Sequence, residues 1–207
     1  GLVFRLHQQP GHMEPIPLSE AKVLPLVTPS KVVCVGLNYK AHAEELGYPL
    51  PNMPSFFLKP PSSIIGNGEP IVLPSGMGRI EHEAELAMVV GKVCRNLTPE
   101  EAEESLFGFT CANDVTAREV QKVDPLIGHC KSYDTFCPIG PWIETELEDI
   151  NDLSIRCLVN GEVRQSANTG DMIFRPLDLL CFLSRVMTLM PGDVILTGTP
   201  PGISPIQ

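Results

Sequence analysis

Short apolar runs separated by proline and glycine dominate the hydrophobic pattern of the chain. Runs of this length that are rich in Val, Ile, Leu and Phe and bounded by turn residues predict β-strands. Eight segments fit this description: KVVCVGL (31–37), SFFLK (55–59), PIVLP (70–74), AELAMVVG (84–91), FGFTCAND (107–114), GPWIET (140–145), LSIRCLVNG (153–161) and DVILTG (193–198). In LVNGEVRQS, the Asn160-Gly161 pair lies between alternating residues, which predicts a tight β-hairpin.

Helical patterns are fewer than strand patterns. The segment TPEEAEESL begins with Thr98 and has Glu101 three residues later, a capping box that predicts the start of a helix. The segment PLDLLCFLSRVMTL (176–189) predicts a longer helix. In NYKAHAEE, His42 and Glu45 are spaced i, i+3, so a helix there would put both side chains on one face, where the carboxylate can orient the imidazole. The pattern therefore predicts a strand-rich α+β fold.

Composition favours one globular domain. The chain has 207 residues, of which 43% are apolar and 19% charged, and these fractions are typical of a packed core rather than of disorder. The first 30 residues are mixed and contain prolines, so we expect a small lead-in over 1–30 and one domain over 31–207. The chain starts with Gly1 rather than Met, and we therefore expect its true start to lie upstream.

Charge and cysteine content exclude several classes of partner. A formal net charge of −10 argues against binding to nucleic acid and leaves no basic patch for a membrane surface. No apolar run reaches the length of a membrane span, and the N-terminus lacks a signal-peptide pattern. The seven cysteines are scattered and form no CxxC pair, which indicates buried thiols in a reducing compartment rather than disulfides or a zinc cage. We therefore expect a cytoplasmic protein.

The segment RIEHEAELAMVVGK (79–92) places three carboxylates and a histidine at the start of an apolar strand. Side chains at i and i+2 lie on the same face of a strand, so Glu83 and Glu85 would repel each other on a half-buried face. Burying either carboxylate alone is unfavourable, so a cation or a basic side chain is expected between them. A solvated strand edge is the alternative that this pattern leaves open.

Further polar residues interrupt the apolar pattern at other points. Asp114 ends the apolar run in TCANDVTAREV, and Lys131 begins a polar stretch in GHCKSYDTFCPIGPW. Each also has a purely structural interpretation: Asp114 as a turn or helix cap, Lys131 as a solvated loop lysine, and the His42–Glu45 pair as a surface contact. Thr199, in LTGTPPG, could likewise serve only the turn.

Seven segments, taken together and in this order, resemble the fumarylacetoacetate hydrolase family, and specifically its smaller single-domain members that act on acylpyruvates and oxaloacetate. The segments are CVGLNYKAHAEE, FFLKPPSSIIG, EHEAELAMVVGK, NDVTAREVQ, KSYDTFCPIGPW, VNGEVRQSANTGDMIF and PGDVILTGTPPG. The resemblance implies that 31–207 forms a catalytic domain with a mixed β-sandwich or roll and short peripheral helices. It also implies a homodimer, and the apolar stretch 176–196 has more hydrophobic surface than one helix face requires. A closing Gly-Asp turn and strand pair of the family is absent, so we expect the C-terminal end to be incomplete.

The resemblance implies a metal site. The matching ligands are Glu83, Glu85 and Asp114. Three hard oxygen ligands suit Mg²⁺, with Mn²⁺ or Ca²⁺ as substitutes, and leave coordination positions for substrate and water. A tetrahedral zinc site would need His or Cys, and His82 would lie on the opposite strand face from the two glutamates.

The same resemblance implies the catalytic residues. Lys131 matches the active-site lysine of the family, which would add positive charge where an enolate develops. His42, oriented by Glu45, would deprotonate the attacking water. The implied substrate contacts are Arg118 and Gln121 at the distal part of the substrate and Thr199 at the pyruvyl carboxylate.

The implied reaction is metal-dependent hydrolysis of a C–C bond in an acylpyruvate-like 2,4-dioxo acid, with pyruvate leaving as a metal-stabilised enolate. Oxaloacetate decarboxylation and isomerisation of 2-hydroxyhepta-2,4-diene-1,7-dioate share that enolate and remain alternatives. A non-catalytic metal- or carboxylate-binding protein is the alternative from another class, although a binding protein needs no general base. Because Gly47 and several prolines follow the His42–Glu45 pair, we also expect 38–55 to be a lid that closes when a 2-oxo acid binds.

Overall fold

The computed structural model describes residues 2–3, 16–17, 20 and 22–206. The rest of the predicted lead-in, which is residue 1 and residues 4–15, 18–19 and 21, lies outside the described residues. Within the described part, β1 (Leu2–Val3) pairs antiparallel with β2 (Ile16–Pro17).

Twelve further strands and five α-helices follow among the described residues. The strands are β3 (Val32–Gly36), β4 (Ser55–Lys59), β5 (Ile64–Ile65), β6 (Ile80–His82), β7 (Ala84–Val90), β8 (Leu106–Asn113), β9 (Thr116–Ala117), β10 (Cys137–Glu144), β11 (Ser154–Val159), β12 (Glu162–Asn168), β13 (Val194–Leu196) and β14 (Ser204–Pro205). The helices are α1 (Lys40–Leu46), α2 (Pro99–Glu104), α3 (Arg118–Val123), α4 (Ile127–Lys131) and α5 (Pro176–Val186). The predicted strand-rich α+β class is confirmed.

A mixed seven-stranded sheet forms the centre of the fold, in the order β4-β3-β13-β7-β8-β10-β5. Strands β3 and β13 pair parallel, as do β5 and β10, and the other neighbours pair antiparallel. A small sheet β14-β6-β9 and the hairpin β11–β12 complete the described strands. Strand β7 lies near the middle of the large sheet and is buried along almost its whole length, which explains its nearly continuous apolar sequence.

Most of the predicted strands are confirmed, and the hairpin turn at Asn160-Gly161 has the positive φ angles (54° and 82°) that such a turn needs. The predicted strand PIVLP (70–74) is wrong, because the structure has no strand there. Prolines bound this segment, and the Val72 N–H donates to the Thr135 hydroxyl instead of to a neighbouring strand. Ile71 and Leu73 pack beside Ile80 without forming a sheet.

The two helices predicted from sequence are also confirmed. The capping box of α2 is present, with Thr98 and Glu101 bonded in both directions, and α5 ends at Val186, earlier than its apolar pattern suggested. Helix α1 carries the His42–Glu45 pair and ends at Leu46. Gly47 caps it with a φ of 70°, the left-handed conformation that glycine adopts readily.

The main hydrophobic core lies between the large sheet and α5. Leu179, Leu180 and Leu183 of α5 are fully buried there against Met88 and Ile195 of the sheet. The apolar residues of α5 are therefore largely buried in the core of this chain rather than left exposed for a partner. The homodimer stays a prediction. Among the described residues, no helix is long and apolar enough to span a membrane.

The cysteines are all free thiols. Five are buried, Cys157 is partly buried, and Cys111 is exposed. The prediction of buried thiols is therefore confirmed for most of them, with Cys111 as the exception.

Candidate metal centre

Three carboxylates meet where β7 and β8 pair at the edge of the small sheet. Glu83 lies between β6 and β7, Glu85 is the second residue of β7, and Asp114 follows β8. Antiparallel pairing of Ala84 with Asn113 brings the three together, and the Asp114 N–H donates to the Glu83 carbonyl at 2.8 Å. One oxygen of each carboxylate lies within 4.8 Å of the others, and all three side chains are buried.

Two of these carboxylates are held by basic side chains. The Lys131 ammonium donates to Glu83 Oε2 at 2.7 Å and to Asp114 Oδ2 at 2.6 Å. The Lys59 ammonium donates to Asp114 Oδ1 at 2.5 Å, and Arg118 donates to Glu83 Oε1 at 2.5 Å. Each oxygen of Glu83 and Asp114 therefore has a cationic donor, but a carboxylate oxygen has a second lone pair that can still coordinate a metal.

These contacts belong to a longer chain of alternating charges. In order, its members are Arg79, Glu81, Arg118, Glu83, Lys131, Asp114 and Lys59. The side chain at one end, Arg79, is 53% exposed and the one at the other end, Lys59, is 0% exposed, so the ion-pair chain joins the surface to the core. Every carboxylate in it lies between two cations, which compensates for the loss of water around buried charges.

Glu85 is the carboxylate outside this chain. Among the described residues it has no ion-pair partner, and its hydrogen bond comes from the Gly198 main-chain N–H at 2.5 Å. Burial, with Asp114 and Glu83 close by, raises the pKa of Glu85 well above its usual value. Burial also raises the pKa of Glu83, but the opposite effect of Lys131 and Arg118 is larger. The net result is a lowered pKa of about 2. A buried set of hard oxygen donors, one of them without a cationic partner, fits a divalent cation such as Mg²⁺ or Mn²⁺.

A cavity of about 360 Å³ opens in front of the carboxylates. Eight of the nine residues that the sequence predicted for the site line it: His42, Glu83, Glu85, Asp114, Arg118, Gln121, Lys131 and Thr199. Glu45 lines an adjoining cavity of about 460 Å³, and the two cavities share Leu46, Tyr48, Arg118 and Gln121 as walls. The predicted site residues, 157 positions apart at their extremes, are thus brought together.

The His42–Glu45 pair has the geometry of an oriented base. His42 Nδ1 lies 2.9 Å from Glu45 Oε2, and the imidazole is almost fully buried. Glu45 also accepts a hydrogen bond from the Gly202 N–H at 3.1 Å, so its carboxylate is held from two sides. Because a carboxylate only accepts, Nδ1 is the donor and Nε2 is left as the basic nitrogen.

Arg118 and Gln121 line the cavity side by side on α3. The Arg118 guanidinium donates to Gln121 Oε1 at 2.8 Å while its other nitrogens contact Glu81 and Glu83. Arg118 is therefore also part of the ion-pair chain. Among the described residues the Gln121 amide nitrogen donates no hydrogen bond, so both of its N–H groups are available to a ligand.

Thr199 lies on the wall of the cavity, but its hydroxyl is engaged within the protein. It donates to the Ala84 carbonyl at 3.0 Å and accepts from Gln165 Nε2 at 2.8 Å. A substrate carboxylate would compete with Ala84 for the hydroxyl proton. The main-chain N–H of Thr199 has no acceptor among the described residues, so it is the donor that a carboxylate would meet without competition.

His82 lies outside the carboxylate cluster, as its place on the other strand face predicted. Its Nδ1 is 3.0 Å from Gln165 Oε1 and its Nε2 is 2.8 Å from the Ser204 hydroxyl.

Sequence reasoning missed three buried residues at the site. Lys59 ends the strand SFFLK, and a lysine at the end of an apolar strand is a signal that a carboxylate partner is near. Glu81 alternates with Glu83 and Glu85, so it was visible as one of the crowded carboxylates but received no role. Gln165 gave no local signal, because its partners lie 34 to 83 residues away.

Comparison with known proteins finds a matching family model and similar proteins of known name. The family model described as fumarylacetoacetate (FAA) hydrolase C-terminal matches residues 31–205. The human mitochondrial oxaloacetate tautomerase FAHD2A is 45% identical over 195 residues, which is 91% of this chain and 62% of that protein. The chain therefore spans less than two thirds of that relative.

Several solved structures are also similar to this chain in both sequence and fold. A 5-carboxymethyl-2-hydroxymuconate delta-isomerase from Mycobacterium smegmatis is 41% identical, with a TM-score of 0.86 over 99% of this chain and 84% of that one. Maleylpyruvate hydrolase from Sphingobium, solved in complex with manganese(II) and pyruvate, is 38% identical, with a TM-score of 0.80 over 93% of this chain and 69% of that one.

Proposed function

The chain belongs to the fumarylacetoacetate hydrolase family, and we propose that it is a metal-dependent enzyme that hydrolyses a C–C bond in an acylpyruvate-like 2,4-dioxo acid. The observation that carries this proposal is that an oriented histidine and a cluster of three carboxylates line one cavity. The manganese and pyruvate in the maleylpyruvate hydrolase structure support a cation and a 2-oxo acid as ligands.

Glu83, Glu85 and Asp114 would hold the cation, with Mg²⁺ as the proposed ion and Mn²⁺ or Ca²⁺ as substitutes. When bound, the cation supplies positive charge to the carboxylate and the neighbouring keto oxygen of a 2-oxo acid, which makes the enolate of pyruvate a better leaving group.

His42 would act as the general base. Its Nε2 takes a proton from a water molecule, and Glu45 stabilises the imidazolium that results. The hydroxide adds to the carbonyl carbon farther from the carboxylate. The C–C bond then breaks, its electron pair passes to the pyruvyl part as an enolate, and the imidazolium can return its proton as that enolate becomes pyruvate.

Lys131 would stabilise the negative charge that develops on the substrate. Burial lowers the pKa of Lys131, but Asp114 and Glu83 raise it more, so the ammonium stays charged over the working pH range. Two of its three N–H groups donate to Glu83 and Asp114, which leaves one for the substrate. Gln121 and Arg118 would contact the distal part of the substrate, and Thr199 the pyruvyl carboxylate.

A second candidate function is proton transfer without cleavage, as in a tautomerase or isomerase. It is favoured by the named relatives, an oxaloacetate tautomerase at 45% identity and a hydroxymuconate isomerase at 41%. Moving a proton between carbon and oxygen needs the base and the cation site but no attacking water. Decarboxylation of oxaloacetate would use the same enolate. A non-catalytic binding protein would have no use for the His42–Glu45 pair.

One panel of substrates separates these functions. The purified protein is incubated with acylpyruvates, oxaloacetate and hydroxy-dienoates, with Mg²⁺ or with a chelator, while pyruvate release and enol absorbance are followed. We expect Mg²⁺-dependent release of pyruvate from an acylpyruvate. Faster keto–enol exchange or isomerisation without pyruvate release would establish the second candidate, and no turnover of any substrate would overturn both.

A further inference from the structure

Gln165 connects the β11–β12 hairpin to the candidate site through a single side chain. It lies on β12, is 1% exposed, and does not line the cavity. Its amide is nevertheless bonded on both sides to residues next to the candidate ligands. Such a fully engaged buried amide fixes the positions of everything that it contacts.

Three hydrogen bonds form a closed ring around this amide. Gln165 Oε1 accepts from the Ala84 N–H at 2.9 Å, the Ala84 carbonyl accepts from the Thr199 hydroxyl at 3.0 Å, and that hydroxyl accepts from Gln165 Nε2 at 2.8 Å. Ala84 lies between Glu83 and Glu85 in the chain. The ring therefore joins the segment 83–85, which carries two candidate metal ligands, to the turn that carries the candidate carboxylate contact Thr199.

Two further partners fix the orientation of the amide. Gln165 Nε2 also donates to the Pro200 carbonyl at 2.7 Å, and Oε1 also lies 3.0 Å from His82 Nδ1. A flipped amide would turn its oxygen toward the Pro200 carbonyl and its NH₂ toward the Ala84 N–H, and both contacts would be repulsive. Oxygen toward Ala84 and nitrogen toward Thr199 is thus the orientation that satisfies every partner.

We infer that Gln165 is a positioning residue for the 2-oxo acid site, which holds Thr199 at a fixed distance from the strand segment of Glu83 and Glu85. The inference rests on the proposed function, because a 2-oxo acid has to reach the cation and the carboxylate contact at the same time. The separation of these two groups then decides how well the acid binds, and misplacement by a fraction of an ångström weakens it.

The variant Gln165→Glu removes the donors of the ring and keeps its acceptor for Ala84. The carboxylate cannot donate to Thr199 or Pro200 unless it is protonated, so the turn loses its hydrogen bonds to residue 165. The Ala84 N–H, between the two glutamates, can still donate to the carboxylate. We expect pyruvate affinity at saturating Mn²⁺ to fall about 10- to 100-fold, and the affinity for Mn²⁺ alone to change far less. Pyruvate binding is measured by calorimetry, and free Mn²⁺ by electron paramagnetic resonance.

Control variants separate positioning from a structural role. Ser166→Asp adds a negative charge at the exposed neighbouring position of β12 and should bind pyruvate like the wild type. Thr199→Val removes one of the two acceptors through which Gln165 holds the turn, so adding Gln165→Glu to it should cause less loss of pyruvate affinity than Gln165→Glu causes in the wild type. Gln165→Met, which keeps the length of the side chain without hydrogen bonds, replaces Gln165→Glu if that variant does not fold.

Three results would overturn the inference. One is a folded Gln165 variant that is less heat-stable but binds pyruvate with wild-type affinity, because that is the signature of a role only in docking the hairpin. Another is full additivity of the Gln165 and Thr199 effects. The third is a wild-type protein that binds Mn²⁺ but not pyruvate, a result that overturns the proposed function as well and so is distinguishable from the first two.

Discussion

Glu83 and Glu85 are two residues apart in the chain but have opposite electrostatic surroundings. Glu83 receives hydrogen bonds from Lys131 and Arg118, whereas Glu85 receives one from the Gly198 main chain. The pKa of Glu83 is accordingly lowered and that of Glu85 raised. The same neutralising substitution should therefore have different consequences at the two positions.

Glu85→Gln is expected to abolish tight metal binding with little loss of stability. The amide keeps the volume and removes a charge that burial and two neighbouring carboxylates disfavour. Glu83→Gln should also weaken metal binding, but it removes one of the two carboxylate partners of both Lys131 and Arg118 and should lower the free energy of unfolding by about 3 kcal/mol. Mn²⁺ titration and urea denaturation of both variants measure these effects.

The exposed Glu119 offers a matched control for this pair. Glu119→Gln on α3 breaks only a surface contact with Lys122 and should leave metal affinity and stability near wild type. Wild-type Mn²⁺ affinity in Glu85→Gln would show that the metal site lies elsewhere.

His42→Ala should separate hydrolysis from decarboxylation. Hydrolysis needs an activated water, so its rate should fall by about 10² to 10⁴, whereas decarboxylation needs no nucleophile and should fall much less. Both rates are measured as pyruvate release, from an acylpyruvate and from oxaloacetate. His129→Ala, at an exposed histidine paired with Asp124, is the control for general effects. Equal losses in the two reactions would mean that His42 binds substrate or donates a proton in both.

The part of the fold that follows directly from sequence is the part encoded locally. Strand β7 is a continuous apolar run because both of its faces are buried, and α2 begins where its capping box predicts. The helices α3 and α4 are six and five residues long, too short to show a helical period, and they were missed for that reason.

The features of the site that could not be predicted from sequence are contacts between residues that are far apart in the chain. The candidate metal ligands, the candidate base and Lys131 were predicted through a family resemblance, and the structure brings them to one cavity. Lys59 is bonded to Asp114, 55 positions away, and Gln165 to Thr199, 34 positions away. No pattern within a single segment reports which distant partner a buried polar residue has.

Asp193 is expected to stabilise the fold in a pH-dependent manner. Its carboxylate accepts hydrogen bonds from Ser30, Lys31 and Met190, so it ties the start of β13 to the residues before β3. Burial raises the pKa of Asp193, but the contacts with Lys31, Met190 and Ser30 have a larger, opposite effect. The net pKa therefore lies below its usual value. A lowered pKa in the folded state contributes stability that is fully present above the unfolded pKa of about 3.9 and is lost as pH falls through the folded value.

Asp193→Asn should therefore lower the free energy of unfolding by about 3 kcal/mol near neutral pH, because the new NH₂ group faces Lys31 or a main-chain N–H. The difference from wild type should shrink as the pH falls below about 4. Urea denaturation over this pH range measures it, with Asp134→Asn at an exposed loop position as the control. A difference that does not change with pH would assign the effect to packing rather than charge.

Ligand binding should order residues 46–53, at the end of α1 and after it, because the sequence predicts that this region is part of a lid. The start of the predicted lid (38–55) is firmly held, because the Asn38 side chain bonds to the main chain of Phe174 and Thr197 at 2.7 to 2.9 Å. Beyond α1, Tyr48, Leu50 and Met53 are exposed apolar side chains that gain by covering a ligand.

Leu46 and Tyr48 already line both cavities, so closure of this segment would shield the space in front of His42 from bulk water. Hydrogen exchange followed by mass spectrometry, with Mg²⁺ alone and with Mg²⁺ plus pyruvate, tests this. The main-chain amides of residues 46–48, 50, 52 and 53 should become protected with pyruvate, while those of the buried helix α5 should not change. Equal exchange of 46–53 in both states would mean that the segment is a fixed wall of the cavity, because a lid that closes on a ligand has to lose exchange when the ligand binds.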